Sequence, residues 1–257
     1  MDEEPHPHNR KEPPPRTRRR PTGAVLSAAR MRAADARTIA EGASGRTLME
    51  NAGAAVAATA CARYPDARRI LIFAGGGNNG GDGYAAARLL LPSGRAVEIA
   101  ALTRPESLPP DAAEQYRLAR DAGVPVHLLD TADPDRLATL LDRADLIIDA
   151  ILGTGVAKRP LQGWWRTVVE AINRRPAPVL AVDICSGIHA DSGEVLGCAI
   201  RADATLPIAA CKPGHLRGAG ADFAGELLPP ASIGIRAETI RWAMEADEDD
   251  LADLRGK

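Results

Sequence analysis

The sequence predicts an α/β fold, a Rossmann-like three-layer αβα sandwich built on a mostly parallel sheet. Two observations carry that expectation. Short segments that are apolar on both faces alternate with helical stretches of 10–15 residues, the pattern of parallel strands covered by crossover helices. Three of the strands then empty into polar or glycine-rich loops, at 73–83, 149–160 and 182–193. Parallel strands bring such loops to one edge of the sheet, which is where open α/β sheets bind ligands.

The elements follow in order. "LSAARMRAADARTIAEGA" and "RTLMENAGAAVAATACARY" read as two opening helices, "RILIFA" as a strand, 82–91 as a helix and "AVEIAAL" as a strand. Next come "PDAAEQYRLARDAG" (helix), "PVHLL" (strand) and "DPDRLATLLDRA", a helix with Asp133 at its N-cap. "DLIIDA" (strand), "WWRTVVEAINRR" (helix), "PVLAVDI" (strand) and "ATLPIAA" (strand) complete the series. No internal repeat and no shift in composition divides it, so one domain is expected over residues 24–236. Residues 1–22 are rich in Pro and Arg and nearly free of apolar side chains. Such a segment cannot bury enough surface to offset its ordering entropy, so it is expected to be disordered. It has no apolar h-region and is not a secretory signal. Residues 237–257 read as an acidic C-terminal tail or linker.

Composition narrows the function classes. A chain with 45% hydrophobic and 26% charged residues is ordinary for a globular protein. A formal net charge of −2 gives no reason to expect nucleic acid or an anionic membrane as partner. No apolar run reaches the 18 residues of a bilayer span. Cys61, Cys185, Cys198 and Cys211 form no C-x-x-C pair and fit no zinc spacing. They read as reduced thiols of a cytoplasmic protein.

In the first loop, Gly75, Gly77 and Gly80 satisfy G-x-G-x-x-G, and Glu98 follows as a candidate ribose ligand. Asp82 opposes a plain pyrophosphate site: repulsion at about 4 Å is on the order of 4 kcal/mol at an intermediate dielectric. A Walker A loop is excluded, because no Gly-Lys-Ser/Thr follows. Asn78, Asn79, Gly80, Gly81 and Asp82 suit a loop that offers amides to a sugar or phosphate and carbonyl oxygens to a cation. In the second loop, Asp149 ends an apolar strand and needs a metal, a backbone nest or a cation as partner. Gly153, Thr154 and Gly155 can approach a phosphate, with Lys158 and Arg159 behind them. In the third, Asp183 is a candidate acid or base at a strand end. Ser186, with backbone carbonyls, is placed to complete an oxygen cage with Asn79 and Asp149, hard ligands that suit an alkali cation better than zinc. Cys185 lacks a histidine positioned to activate it; His189 and His215 read as surface or hydrogen-bonding residues.

"AGGGNNGGDGYAAARLL", "DLIIDAILGTGVAKRP", "AVDICSGIHADSGE" and "CKPGHLRGAGADFAGELLPPASIGI", in that order, resemble the NAD(P)H-hydrate epimerases. The opening helices resemble theirs too, so the likeness covers essentially all of 24–236. It implies an isomerase that interconverts the R and S forms of hydrated NADH or NADPH, cofactors hydroxylated at C6 of the nicotinamide ring. It implies substrate contacts at Asn78, Asn79, Gly80, Gly81 and Asp82, then at Gly153, Thr154, Gly155, Val156, Ala157, Lys158 and Arg159. Asp183 is implied as the acid–base residue that also touches substrate, and a potassium ion (K+) at Asn79, Asp149 and Ser186. The resemblance further implies an ADP- or ATP-dependent NAD(P)H-hydrate dehydratase as functional partner, fused or separate, and leaves a homodimer open. Cys185 departs from the family's usual proline. The rival readings are an NAD-dependent dehydrogenase, for which no catalytic His or Lys set is evident, and a non-catalytic nucleotide-binding or scaffold protein on the same fold.

Overall fold

The computed structural model describes residues 23–155, 160–247 and 250–251. Its helices are α1 (Ala28–Ala40), α2 (Gly45–Arg63), α3 (Asn78–Leu90), α4 (Pro110–Asp121), α5 (Pro134–Arg143), α6 (Gly163–Asn173), α7 (Gly218–Phe223) and α8 (Ala237–Glu245). Its strands are β1 (Arg69–Ala74), β2 (Ala96–Ala101), β3 (Val126–Leu128), β4 (Leu146–Ala150), β5 (Val179–Val182), β6 (Ala204–Leu206) and β7 (Glu226–Leu227). The strands form one sheet in the order β3-β2-β1-β4-β5-β6-β7, and every neighbouring pair is parallel. The expected Rossmann-like α/β architecture is therefore present.

Strand alternation produces the three layers. Ile70 and Ile72 of β1 point to one face, where Val56, Tyr84 and Leu90 pack. Leu71 and Phe73 point to the other, onto Leu137, Val168 and Ile172. Each such fully buried side chain stabilises the fold by about 1.5–3 kcal/mol relative to exposure. Capping fixes several helix starts: Ser27, Ser44 and Asp133 accept the amides of Arg30, Thr47 and Arg136. The Asp133 cap is the one expected from sequence.

Three features differ from the sequence reading. Helix α3 begins at Asn78 rather than 82, so the Asn-Asn-Gly-Gly-Asp run forms its first turns. Glycines weaken a helix by up to about 1 kcal/mol each, but packing overrides propensity here. A Cβ on Gly80 would stand 2.1 Å from the Gly75 carbonyl oxygen, so only glycine lets the helix start this close to the end of β1. The short β7 and α7 were not anticipated. Finally, the segment from 237, expected to be a tail, opens with helix α8. Its apolar Trp242 and Ala243 dock on α1: the Arg30 guanidinium donates to the Ala243 carbonyl at 2.5 Å, and Arg37 lies 4.6 Å from the centre of the Trp242 ring. Ala246 and Leu251 extend this contact to Ala33. The expected disorder of residues 1–22 lies outside the described residues.

Candidate active site

Strand order reverses between β1 and β4, so their carboxyl ends open a crevice. The two ends are tied where the Gly75 amide donates to the Ala150 carbonyl at 3.1 Å. A Cβ on Gly75 would overlap the Ile151 carbonyl oxygen at 1.8 Å. Gly75, Gly80 and Gly81 are thus needed for close approach rather than for backbone conformation, since none of them has a positive φ, whereas a Cβ on Gly77 would meet nothing within 4 Å.

Asp149 and Ser186 are brought together. Ser186 Oγ donates to Asp149 Oδ1 at 2.5 Å, and the Ser186 amide donates to Oδ2 at 2.8 Å. The Ile151 amide also reaches Oδ1, at 3.2 Å, while Ser186 Oγ accepts the Leu152 amide at 2.8 Å. The pair clamps the loop after β4 to the loop after β5. Burial pushes the Asp149 carboxyl up to about 6 against the opposing pull of the Ser186 hydrogen bonds.

Asn79 is buried, and neither its Oδ1 nor its Nδ2 has a hydrogen-bond partner among the described residues. Its side chain faces the next loop: a Cβ on Gly153 would stand 3.1 Å from Asn79 Cβ and 3.5 Å from Oδ1. A buried amide left unpaired costs about 1–3 kcal/mol, and such a group calls for a bound partner. With the oxygens of Asp149 and Ser186, the donor set is all hard oxygen, which fits an alkali cation. Asn78 is exposed at the crevice, Gly80 and Gly81 are buried in the helix, Thr154 is half-buried and Gly155 is exposed. Val156, Ala157, Lys158 and Arg159 lie outside the described residues.

Asp183 ends β5 in the left-handed region, at φ 66°, which a residue other than glycine adopts at a cost on the order of 1 kcal/mol. What holds it there lies far along the chain. Its Oδ1 accepts the ammonium of Lys212 and, at 3.0 Å, the amide of Ile208. Lys212 is fully buried and spends its other two donors on the Ile208 and Ala210 carbonyls, both at 2.9 Å. His215 bridges the backbone: Nδ1 accepts the Lys212 amide at 3.0 Å, so Nε2 carries the proton it donates to the Asp183 carbonyl at 2.8 Å. Burial, helped by Lys212, pushes His215 down to about 4, so the ring is neutral. His215, expected to be a surface or hydrogen-bonding residue, is hydrogen-bonded and buried. Lys212 was missed, because a lysine in a loop gives no local sign that it is buried against Asp183.

Asp82 lies one turn into α3, and burial first, then the charges of Asp183 and Asp35, push its carboxyl well above the usual range. That upward shift weakens the Coulomb objection to an anionic ligand, which assumed an ionised Asp82. Asp35, on α1, was not singled out from sequence. Glu98 does not face this crevice as a free ribose ligand; it lies 2.5 Å from His127 Nε2 across β2 and β3. Cys185 is buried, donates to the Phe223 carbonyl at 3.3 Å, and burial raises its thiol to about 12, which rules out a ready nucleophile.

Residues 45–214 match the family described as YjeF-related protein N-terminus. The chain belongs to that family. A Limosilactobacillus fermentum member named NAD(P)H-hydrate epimerase is 39% identical over 214 residues, which is 83% of this chain and 99% of that one. A Thermofilum pendens member named bifunctional NAD(P)H-hydrate repair enzyme Nnr is 41% identical over 180 residues. There the match covers 70% of this chain and 34% of the relative, so the chain spans about a third of the bifunctional relatives and nearly all of the shorter epimerase. Among solved structures, yeast ynu0 (YNL200c) matches with a TM-score of 0.67 and 25% identity, covering 74% of this family member and 82% of that chain.

Proposed function

We propose that the protein interconverts the R and S forms of hydrated NADH and NADPH, with Asp183 moving the proton. The observation that carries this reading is the Asp183–Lys212 ion pair at the carboxyl end of β5, in a chain 39% identical to an NAD(P)H-hydrate epimerase along nearly that protein's whole length. The uncapped first turn of α3, with Gly77 as N-cap, offers free amides and a positive helix end to the dinucleotide phosphates.

The chemistry follows from the substrate. C6 carries a hydroxyl beside a ring nitrogen, so breaking the C6–O bond sends the electron pair to oxygen while the nitrogen lone pair forms an iminium. A proton must reach the departing oxygen, and a proton must leave the water that returns to the other face. Asp183 Oδ1 is engaged by Lys212 and Ile208, and Oδ2, which has no hydrogen-bond partner among the described residues, is the oxygen for this work. Carboxylates around the ring also stabilise the developing positive charge. Asn79, Asp149 and Ser186 would hold the potassium ion, which would supply a fixed positive charge between the loops. An ADP- or ATP-dependent dehydratase that consumes the S form is the functional partner on this reading.

The test mixes the protein with an R/S hydrate mixture and an S-specific dehydratase. Wild type drives complete consumption of both forms, whereas Asp183→Asn leaves the R form standing, its rate down by about 10²-fold or more. Persistence of the R form with wild type would favour the non-catalytic reading.

A further inference from the structure

The strand order β3-β2-β1-β4-β5 divides the carboxyl edge of the sheet about the crevice between β1 and β4. Asp183 ends β5, on one side of that crevice. On the epimerase reading the nicotinamide ring lies beside Asp183 and the pyrophosphate at the start of α3. The adenosine half then runs the other way, over the ends of β2 and β3. From β5 through β4 and β1 to β2 the distance is about 14 Å at the usual strand spacing, a span that an extended dinucleotide bridges. The residues at the β2 end decide which adenosine ribose is accepted. A carboxylate there takes the free 2′-hydroxyl, whereas an arginine accommodates a 2′-phosphate.

Beyond β2 the chain reads Leu102, Thr103, Arg104, Pro105. The Leu102 amide donates to the Ala74 carbonyl at 2.9 Å, which carries the β2–β1 pairing to the edge. The Thr103 side chain then lies against the glycine loop, 2.9 Å from where a Cβ on Gly76 would stand. Arg104 is the next residue out. Its backbone is held extended by Pro105, at φ −65° and ψ 142°, and its carbonyl accepts the Ser107 amide at 3.0 Å. Its side chain is 65% exposed and tethered by Nε, which donates to Asp130 Oδ2 at 2.5 Å just past β3. Among the described residues its two terminal amino groups have no hydrogen-bond partner. A guanidinium fixed at Nε and open at its terminal nitrogens presents paired donors that match a phosphate. Glu98, the carboxylate whose spacing suggested a ribose ligand, is committed to His127, and Asp130 is committed to Arg104.

We propose that Arg104 is the specificity residue for the adenosine half of the substrate and binds its 2′-phosphate, so that hydrated NADPH is preferred over hydrated NADH. The inference rests on the epimerase reading above and deepens it by choosing between the two substrates. No bond is made or broken at this end of the dinucleotide, so Arg104 acts through binding alone. Its contacts form equally in the ground state and the transition state, and they therefore lower KM without raising kcat. Thr103, packed between Arg104 and the glycine loop, keeps the guanidinium within reach of a ribose whose phosphates sit at the start of α3.

The test measures kcat and KM of wild type, Arg104→Ala and Arg104→Lys with the R forms of hydrated NADPH and hydrated NADH in the coupled dehydratase assay. Calorimetry follows the binding of adenosine 2′,5′-bisphosphate, adenosine 3′,5′-bisphosphate and AMP to the same proteins. Wild type is expected to bind the 2′,5′-bisphosphate about 10–100-fold more tightly than AMP, the range of charge-assisted hydrogen bonds to one phosphate. It should also prefer it to the 3′,5′ isomer of equal charge. Arg104→Ala should lose both differences and raise KM for hydrated NADPH by a similar factor. Its kcat, and both constants for hydrated NADH, should stay within about twofold of wild type. Arg104→Lys should keep part of the preference, as a point charge without the fork. Equal losses on both substrates, an unchanged preference in Arg104→Ala, or no discrimination between the two bisphosphates by wild type would overturn the proposal. A wild type that selects the 2′-phosphate through Arg104 yet leaves the R hydrate standing would remove the epimerase reading and keep the subsite.

Discussion

His215 grips the main chain of Asp183 and leaves its carboxylate alone: Nε2 donates to the Asp183 carbonyl oxygen at 2.8 Å while Nδ1 accepts the Lys212 amide at 3.0 Å. One neutral ring thereby fixes the backbone on both sides of the buried ion pair and supports the left-handed turn at Asp183.

His215→Ala is expected to leave a buried amide and a buried carbonyl unpaired, at a cost of about 1–3 kcal/mol each at most. Each kcal/mol lowers the melting midpoint by about 2–4 °C in a chain of this size. The pH response has a defined sign. On acidification the unfolded chain protonates histidine near its ordinary value of 6.5, whereas the folded ring resists until about 4. Stability contributed by His215 is therefore intact above pH 6.5 and declines as pH falls toward 4. His215→Gln should show a shallower loss over that window in calorimetric scans.

Lys212 should be the most costly single charge to remove. Lys212→Met leaves Asp183 as a buried charge without its partner, a change worth about 3–5 kcal/mol. Adding Asp183→Asn to Lys212→Met should recover a large part of that loss. Denaturant unfolding of the two single variants and the double variant measures the coupling, and strict additivity would show that the pair is not energetically linked.

The unpaired Asn79 amide predicts an ion-specific response. Exchanging choline chloride for potassium chloride should raise the melting midpoint of wild type; a cation at 100 times its Kd contributes about 2.7 kcal/mol. Asn79→Ala should abolish the difference between the two salts. In choline chloride it should melt no lower than wild type, because the lost side chain had no hydrogen bond to lose. Equal potassium stabilisation of both proteins would remove Asn79 from the proposed cation site.

Two glycines separate close approach from simple turning. Gly75→Ala drives a Cβ into the Ile151 carbonyl oxygen and should destabilise by about 1–3 kcal/mol or more. Gly155→Ala meets nothing within 4 Å and should stay within about 0.5 kcal/mol of wild type. Chemical denaturation of the two variants side by side checks the contrast.

Much of this arrangement was legible without coordinates. The apolar strands identify themselves by period and length, and parallel pairing then carries the ends of β1, β4 and β5 to one edge. Asp149, Ser186 and Asp183 were accordingly placed at one sheet edge from sequence, and the first two are hydrogen-bonded to each other. Helix α8 was hidden by its acidic surroundings, since Trp242 and Ala243 acquire meaning only against α1. The start of α3 was hidden because glycines that oppose a helix locally are required where that helix packs against Gly75.

Asp35 and Lys212 were out of reach for a deeper reason. A carboxylate in a helix and a lysine in a loop are each commonplace, and nothing in their own neighbourhood of the chain pairs them with Asp183. Whether Asp183 is partnered and how far the carboxyls of Asp82 and Asp35 are pushed up depend on separations in space and on exclusion of water. The sequence by itself determined the alternation of strands and helices and the edge where the three polar loops gather, because those rest on local periodicity and on the handed rules of parallel sheets. Only the tertiary structure decided which charges meet there and in which direction their pKa values move, because Coulomb energy and desolvation depend on where the folded chain places each group.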